Sequence, residues 1–293
     1  MKIAILGSSG YLGSAYLQVK APPGIHLVPA SRSLINYHDP FILRAFLRSE
    51  QIKGVINCAG FTGKPNVDAC EDSKELCFKM NVELPETIAK VCFDENRTLF
   101  QIGSGCIYQG NPDAENPGKG YREEDEPNFS FKHPPCSFYS GTKAEMEKRI
   151  KDTPGVSIFR LRMPFSSAKD DRNLLWKLSR YPKLIEASNS LSFLDEFISM
   201  SLKMVAAQTP SGIYNFTNPG VAKNSQIVQL LVDKGIRTSE MALFSSTSEA
   251  HSVMRAPRSS CILDSTKIAT LGFPLSDVHE SLLLCINKMI HNA

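Results

Sequence analysis

Short apolar runs alternate with segments of helical period through the first half of the chain. "KIAIL" (2–6), "IHLVPA" (25–30), "KGVINCAG" (53–60), "TLFQIGS" (98–104) and "VSIFRLRMP" (156–164) are near-continuous in apolar residues, the pattern of strands buried on both faces. Between them, apolar positions at helical spacing predict helices over Tyr11–Lys20, 39–50, 73–96 and 138–151. Asp39 is placed to cap the second of these, with Pro40 at its first position, and Pro85 should bend or divide the third. A polar, Gly- and Pro-rich stretch (109–136) reads as a long loop. The second half is more mixed. It predicts helices at about 171–181 and 191–207, a strand over 212–218, a helix after Asn224, a loop leading into a strand over 255–267, and a C-terminal helix at about 276–290. Strands separated by helices mean an α/β protein with a parallel sheet covered on both faces.

Composition narrows the class. The 293 residues, 42% of them hydrophobic, suffice for one large domain or two unequal lobes. A net charge of +3, with no Lys/Arg run longer than two, gives no case for nucleic acid. The opening "MKIAILG" has no signal-peptide layout, and no apolar run approaches the ~18 residues of a membrane span, so a soluble, cytoplasmic protein without membrane contact is expected. None of the eight cysteines forms a C-x-x-C pair or a zinc-spaced Cys/His cluster. Reduced thiols and no metal are the expectation. Histidines 26, 38, 133, 251, 279 and 291 form no constellation, although His133 falls in the loop before Tyr139.

The first strand runs into "ILGSSGYLGS", with Gly7, Gly10 and Gly13 at the start of a helix. Gly7 permits a tight turn. Gly10 lets the backbone approach a pyrophosphate, which the helix N-terminus stabilises with free N–H groups and its dipole. The fold expected is a Rossmann-type doubly wound sheet over residues 1–164, with a return segment at about 191–218. A smaller C-terminal lobe, mainly 165–293, should cap the strand ends and bind substrate. After the second strand, where a site for NAD normally places an acid, stand Ser31, Arg32 and Ser33. The Arg32 fork suits a 2′-phosphate, so NADP(H) is the expected cofactor.

"YSGTK" sets Tyr139 and Lys143 four apart at the start of a helix, on one face. Reducing a ketone needs a proton donor at oxygen as hydride reaches carbon. Tyrosine titrates near 10 unperturbed, and the Lys143 ammonium is expected to lower it. Ser104, at the end of the fourth strand, can hydrogen-bond the substrate oxygen.

With these residues the chain resembles the extended short-chain dehydrogenase/reductase family, through Gly7, Gly10, Gly13, "NCAG" (57–60), Ser104 and the Tyr139/Lys143 pair. The resemblance implies cofactor contacts from Gly7, Gly10, Tyr11, Leu12, Gly13, Arg32, Ala59, Gly60, Tyr139, Lys143 and Met163. It also implies a nucleotide-sugar substrate. Longer blocks narrow it. "AGFTGKPNVDACE" (59–71), "GCIYQG" (105–110), "NFSFKHPPCSFYSGTK" (128–143), "RLRMPFSS" (160–167), "DRNLLWK" (171–177), "GIYNFTNPG" (212–220) and "APRSSCILDSTK" (256–267) are similar to the bifunctional 3,5-epimerase/4-reductases. These turn UDP- or dTDP-4-keto-6-deoxyglucose into the L-rhamnose nucleotide.

Inverting C3 and C5 beside a C4 ketone needs two acid/base groups on opposite faces of the ring. The resemblance assigns Cys106 and Lys177 to those roles, with Cys106 favoured as base. Substrate contacts implied in the same way are Asn66, Asp68, Ser104, Cys106, Asn173, Lys177 and Arg258, the last for the pyrophosphate. Ser104 and Cys106, two apart on one extended segment, are expected to lean to one side. "SGCIYQG" stands where the plant enzymes have "TGCIFEY", and "FKHPPCS" is a longer insertion before the tyrosine. Other readings stay open: a 4-ketoreductase served by a separate epimerase, an enzyme of the GDP-fucose type, or a non-catalytic NADP-binding subunit. A homodimer is the default assembly.

Overall fold

A computed structural model describes residues 1–291 apart from 65, 114, 117–118, 239–241, 245–248 and 250–252; His251 lies outside the described residues. The first five strands form where the apolar runs lie: β1 (Lys2–Leu6), β2 (His26–Ala30), β3 (Gly54–Asn57), β4 (Thr98–Ser104) and β5 (Val156–Leu161). After the short β6 (Lys183–Leu184) and β7 (Ser188–Asn189), β8 (Ile213–Asn215) returns to the same sheet. The order is β2-β1-β3-β4-β5-β8 and every pairing is parallel. Strand order reverses between β1 and β3, the switch point at which such sheets open a crevice beyond their C-terminal ends.

The period of two along β1 explains the layering. Ala4 and Leu6 join the core shared with α2 (Pro40–Ser49), α5 (Leu84–Asp94) and α6 (Phe138–Ile150). Ile3 and Ile5 join the opposite core, with α1 (Tyr11–Gln18) and α8 (Leu194–Ala206). Each fully buried Ile or Leu is worth about 1.5–3 kcal/mol, so both faces contribute. A third core of Phe165, Leu175, Leu191, Phe193, Ile227 and Ile286 sits in the C-terminal half. It draws on α7 (Leu174–Leu178), α9 (Asn224–Asp233) and, after α10 (Thr266–Thr270), on α11 (Val278–His291).

Three elements differ from expectation. The 73–96 helix is divided ahead of Pro85, not at it. α3 (Ala69–Asp72) and α4 (Lys74–Phe78) lead into a single wide π turn, Lys79–Glu83, closed by the Leu84 N–H donating to the Lys79 carbonyl. Pro85 has no N–H for the Asn81 carbonyl and its ring crowds that group; one extra residue in the preceding turn relieves both. The helix expected over 171–181 shrinks to five residues, begun at the Asn173 cap. The 255–267 segment forms no strand. It makes single bridges, Cys261 to Gly110 and Leu263 to Tyr121, because it lies against a loop rather than a sheet edge.

Residues 122 and 123 of the 109–136 loop are held by a buried cation. Arg160, 1% exposed at the end of β5, donates from Nε to Glu147 Oε2 of α6 at 2.9 Å and from Nη2 to the Glu123 carbonyl at 3.2 Å. Tyr121 stacks on Tyr108 at 4.3 Å between ring centroids. The loop is therefore packed on the strand ends close to Ser104.

Candidate active site

The glycine loop has the form expected of a dinucleotide cradle. Gly7 has φ +73, and a Cβ there would lie 2.8 Å from the Ala59 nitrogen at the end of β3. Gly13 packs so closely on the Gly7 carbonyl that a side chain has no room. At Gly10, by contrast, a Cβ would meet only that carbonyl oxygen, at 3.3 Å. Gly10 begins α1 with no side-chain cap and no acid in the first turn, and the Tyr11, Leu12 and Gly13 N–H groups have no partner among the described residues. These residues fit a bound pyrophosphate. Arg32 is exposed just past β2. Tyr11 has its hydroxyl 2.8 Å from the Ser166 hydroxyl, and Leu12 packs into the core beneath the sheet. Met163 takes φ +41, a strained value for a non-glycine residue, just after β5.

α6 starts beside this cradle. Its cap, Ser137, accepts from the Ser140 N–H at 3.0 Å, which sets Tyr139 in the first turn and Lys143 one turn on. The Lys143 Nζ lies 5.9 Å from the Tyr139 ring centroid and 3.4 Å from the Ile102 carbonyl of β4. A Cβ on Gly60 would lie 3.9 Å from that Nζ, so the β3 end closes the other side. Burial pushes Lys143 down to about 8, opposed by the negative charge that Cys77 and Cys106 can carry. The Ser104 hydroxyl acts on Tyr139 as a hydrogen-bond partner. The expected lowering of Tyr139 by Lys143 is not found in the protein alone. Burial, and then the charge of Cys106, raise the phenol against the lowering by the Ser104 hydrogen bond.

Ser104 and Cys106 are not on one extended segment. The chain turns directly after β4 into a single 3₁₀ turn, Gly105–Ile107, with the Ser104 hydroxyl accepting from the Cys106 N–H at 3.2 Å. The turn packs closely on the 256–267 segment: a Cβ at Gly105 would meet the Leu263 side chain at 2.5 Å. The turn still leaves Cys106 half-buried and near enough for its charge to act on both Tyr139 and Lys143. The Cys106 sulfur accepts from Arg162 Nη1 at 2.9 Å.

The remaining residues divide. Lys177, on α7, is half-buried, and its ammonium has no hydrogen bond or ion pair among the described residues. Burial, then Arg172, lower its pKa, with a contribution from Arg258. Arg258 makes a two-pronged ion pair with Asp68, Nη1–Oδ1 2.7 Å and Nη2–Oδ2 2.8 Å. Both residues expected to meet substrate are thus joined to each other, although they stand 190 residues apart in the chain. Asp68 is held below the usual carboxylate range, its burial outweighed by Arg258 and the Ala256 N–H. The Asn66 side-chain oxygen closes a turn by accepting from the Asp68 N–H at 2.8 Å. Asn173 differs most from expectation. It is fully buried; its oxygen accepts from the Ser166 and Leu175 N–H groups, and its amide donates to the Ser166 and Ala168 carbonyls. All four positions are filled, which leaves nothing for a sugar or phosphate and makes Asn173 a structural cap. Segment 256–261 links the two halves of the site: Arg258 acts on Lys177, while the Ser259 carbonyl accepts from Arg162 Nη2 at 2.6 Å.

Two residues were missed. Asn81, buried in the π turn, accepts from the Phe61 N–H and donates to its carbonyl, both at 2.8 Å, and reaches Thr142 on α6 at 3.2 Å. It ties the β3 end to the helix of Tyr139. The signal available was Pro85 four residues on, which marks the irregular turn. For Arg162, the signal was two arginines at period two in an otherwise apolar buried strand, "FRLRM".

Comparison with known proteins bears on this arrangement. The family model described as the RmlD substrate binding domain matches residues 1–291. A bifunctional dTDP-4-dehydrorhamnose 3,5-epimerase/dTDP-4-dehydrorhamnose reductase of Arabidopsis thaliana is 36% identical over 286 residues, covering 95% of this chain and 90% of that protein. Among solved structures, the UDP-rhamnose synthase L780 of Acanthamoeba polyphaga mimivirus superposes with a TM-score of 0.89 at 26% identity, over 99% of both chains. A dTDP-4-dehydrorhamnose reductase of Bacillus anthracis, solved in complex with NADP, has a TM-score of 0.82 at 18% identity, over 98% of this chain and 99% of that one, and shows the shared fold. No helix among the described residues is long and apolar enough to cross a membrane. The chain belongs to the RmlD substrate-binding domain family and, with it, to the extended short-chain dehydrogenase/reductases.

Proposed function

We propose that the chain is an NADP(H)-dependent bifunctional enzyme that inverts C3 and C5 of a UDP- or dTDP-4-keto-6-deoxy-D-glucose and reduces C4, giving the NDP-L-rhamnose. The observation that carries this is the 3₁₀ turn after β4. It puts a thiol, Cys106, next to the serine of a Ser104–Tyr139–Lys143 reductase set, close enough for its charge to act on both Tyr139 and Lys143. One ketone can then serve both halves of the reaction. It acidifies the neighbouring C–H bonds for Cys106, and it accepts a hydrogen bond from Ser104 and a proton from Tyr139. When bound, NADPH supplies the hydride that reduces C4.

Gly7, Gly10 and Gly13 with the α1 N-terminus hold the pyrophosphate in this scheme, and Arg32 takes the 2′-phosphate. Lys143 holds the nicotinamide ribose and offsets the phenolate left when Tyr139 gives up its proton. Lys177 is the second acid/base group, opposite Cys106; a half-buried ammonium of lowered pKa, unpaired among the described residues, suits proton transfer. Arg258 exchanges Asp68 for the substrate pyrophosphate as the sugar nucleotide enters. A cytoplasmic homodimer is the assembly and location proposed.

The test is incubation with NADPH and each 4-keto-6-deoxyglucose nucleotide in deuterated water, with NMR of the product. Rhamnose carrying deuterium at C3 and C5 is expected, and Cys106→Ala should abolish that label. Undiminished label in the alanine variant would reject the epimerase assignment and leave a 4-ketoreductase.

A further inference from the structure

The "RLRMP" stretch places two arginines in the protein interior, and they are neutralised in different ways. Arg160 has a carboxylate partner, Glu147. Arg162, only 2% exposed, has none among the described residues. Its Nη2 donates to two uncharged oxygens, Asn189 Oδ1 and the Ser259 carbonyl. Its Nη1 donates to the Cys106 sulfur at 2.9 Å. A buried guanidinium without a counter-ion is costly, and a thiolate is the one anion that its contacts can supply.

A second thiol lies within reach of the same charge, and the structure separates the two. Cys261 is 1% exposed and donates its S–H to the Gly105 carbonyl at 3.1 Å. Burial pushes it up, so it stays a thiol. Cys106 is half-buried and accepts from the guanidinium. The other titratable groups facing Cys106 come from α6: Tyr139, whose phenol is raised, and the Lys143 ammonium.

We propose that Arg162 is a positioning residue for proton transfer, its guanidinium pairing with the Cys106 thiolate and fixing that sulfur beside the Ser104–Tyr139–Lys143 set. The inference rests on the epimerase half of the proposed function and names which form of the cysteine begins the cycle. The sulfur lone pair forms an S–H bond as a ring C–H bond breaks, and the C–H electrons pass into the enolate at C4. A proton returned to the opposite face by the second acid restores the carbon. The Cys106 thiol then gives its proton to solvent, which returns it to the paired thiolate, while solvent reprotonates the acid.

The test follows alkylation of Cys106 by iodoacetamide on the full chain from pH 6.5 to 8.5, resolved from the other thiols by peptide mass spectrometry. Only the thiolate reacts, and an adjacent opposite charge changes its population by about tenfold or more. In Arg162→Gln the Cys106 rate at pH 6.5 should fall about tenfold, with the gap closing toward pH 8.5. Arg162→Lys, which keeps the charge, should recover most of the loss. The unmodified protein provides a measurement independent of any variant's folding: half-buried Cys136, pushed up by burial, is the internal reference. Cys106 should lose much less of its rate than Cys136 between pH 8.5 and 6.5. Equal pH profiles for the two thiols, or an unchanged Cys106 profile in folded Arg162→Gln, would overturn the pairing. Deuterium exchange at C3 and C5 is then read in the same proteins. Exchange that survives intact in Arg162→Gln overturns the positioning role. An unmodified protein that alkylates as expected but exchanges nothing supports the pairing and rejects the epimerase assignment instead.

Discussion

Lys143 should weaken the fold at the pH where the site operates. It is 7% exposed, and burial pushes its pKa from an ordinary 10.5 to about 8. Between those values the unfolded chain binds a proton that the folded protein has given up, so stability rises with pH across that window. Below about pH 8 the ammonium is charged in both states and the full burial penalty is present. A shift of this size, at about 1.4 kcal/mol per pH unit, amounts to about 3 kcal/mol at pH 7. Lys143→Met keeps the apolar stem and removes the charge. It leaves no buried acceptor stranded, because the Ile102 carbonyl also accepts from Gln101 Nε2 at 3.0 Å. Urea unfolding at pH 7 should therefore find the methionine variant about 3 kcal/mol more stable. In heat that is about 5 °C for a chain of this length. Above pH 8 the advantage should shrink by about 1.4 kcal/mol per pH unit, and the variant should fail to reduce substrate. A methionine variant no more stable at pH 7, or an advantage equally large at pH 9.5, would refute the reasoning. Such a cost is the ordinary price of a buried charge kept for chemistry.

Two further outcomes follow from the site. Arg32→Ala should raise KM for NADPH about 10- to 100-fold and leave KM for NADH unchanged, since charged hydrogen bonds to a phosphate are worth about 1.5–3 kcal/mol; steady-state kinetics with both cofactors checks it, and equal losses with both would remove Arg32 from the 2′-phosphate. Asn173→Ala should cost about 2–4 kcal/mol in urea unfolding, from a lost cap and stranded backbone groups, with KM for the sugar nucleotide unchanged at a temperature where the variant is folded. A raised KM with no loss of stability would return Asn173 to the substrate site.

The strands and the glycine turn were legible because they rest on local chemistry. β1 shows in five apolar residues followed by a glycine that must take φ +73. The α2 start shows in Asp39, whose side chain accepts from the Phe41 N–H at 2.8 Å, and in Pro40 behind it. Tyr139 and Lys143 show in helical spacing alone. The errors fall where a distant partner decides. Pro85 announced a break, but not that the widened turn ahead of it seats Asn81 against Phe61 and Thr142, partners from distant segments. "DRNLLWK" promised a longer helix and a ligand-binding asparagine; the Ser166 and Ala168 carbonyls, met only after β5, claim that side chain instead.

The sequence by itself determined the parallel α/β architecture, the glycine turn after β1 and the placing of the hydroxyl, phenol and ammonium of the proposed reductase set, since periodicity, turn geometry and helical spacing act between near neighbours. Only the tertiary structure decided what each charge meets. Arg160 on β5 and Arg162 just past its end are two apart, yet one finds the Glu147 carboxylate on α6 and the other finds the Cys106 sulfur on the turn after β4. The energy of a buried charge is set by the group brought against it. That group comes from a segment tens of residues away, so the arrangement of strands around the sheet, not the spacing along the chain, assigns the cysteine its partner.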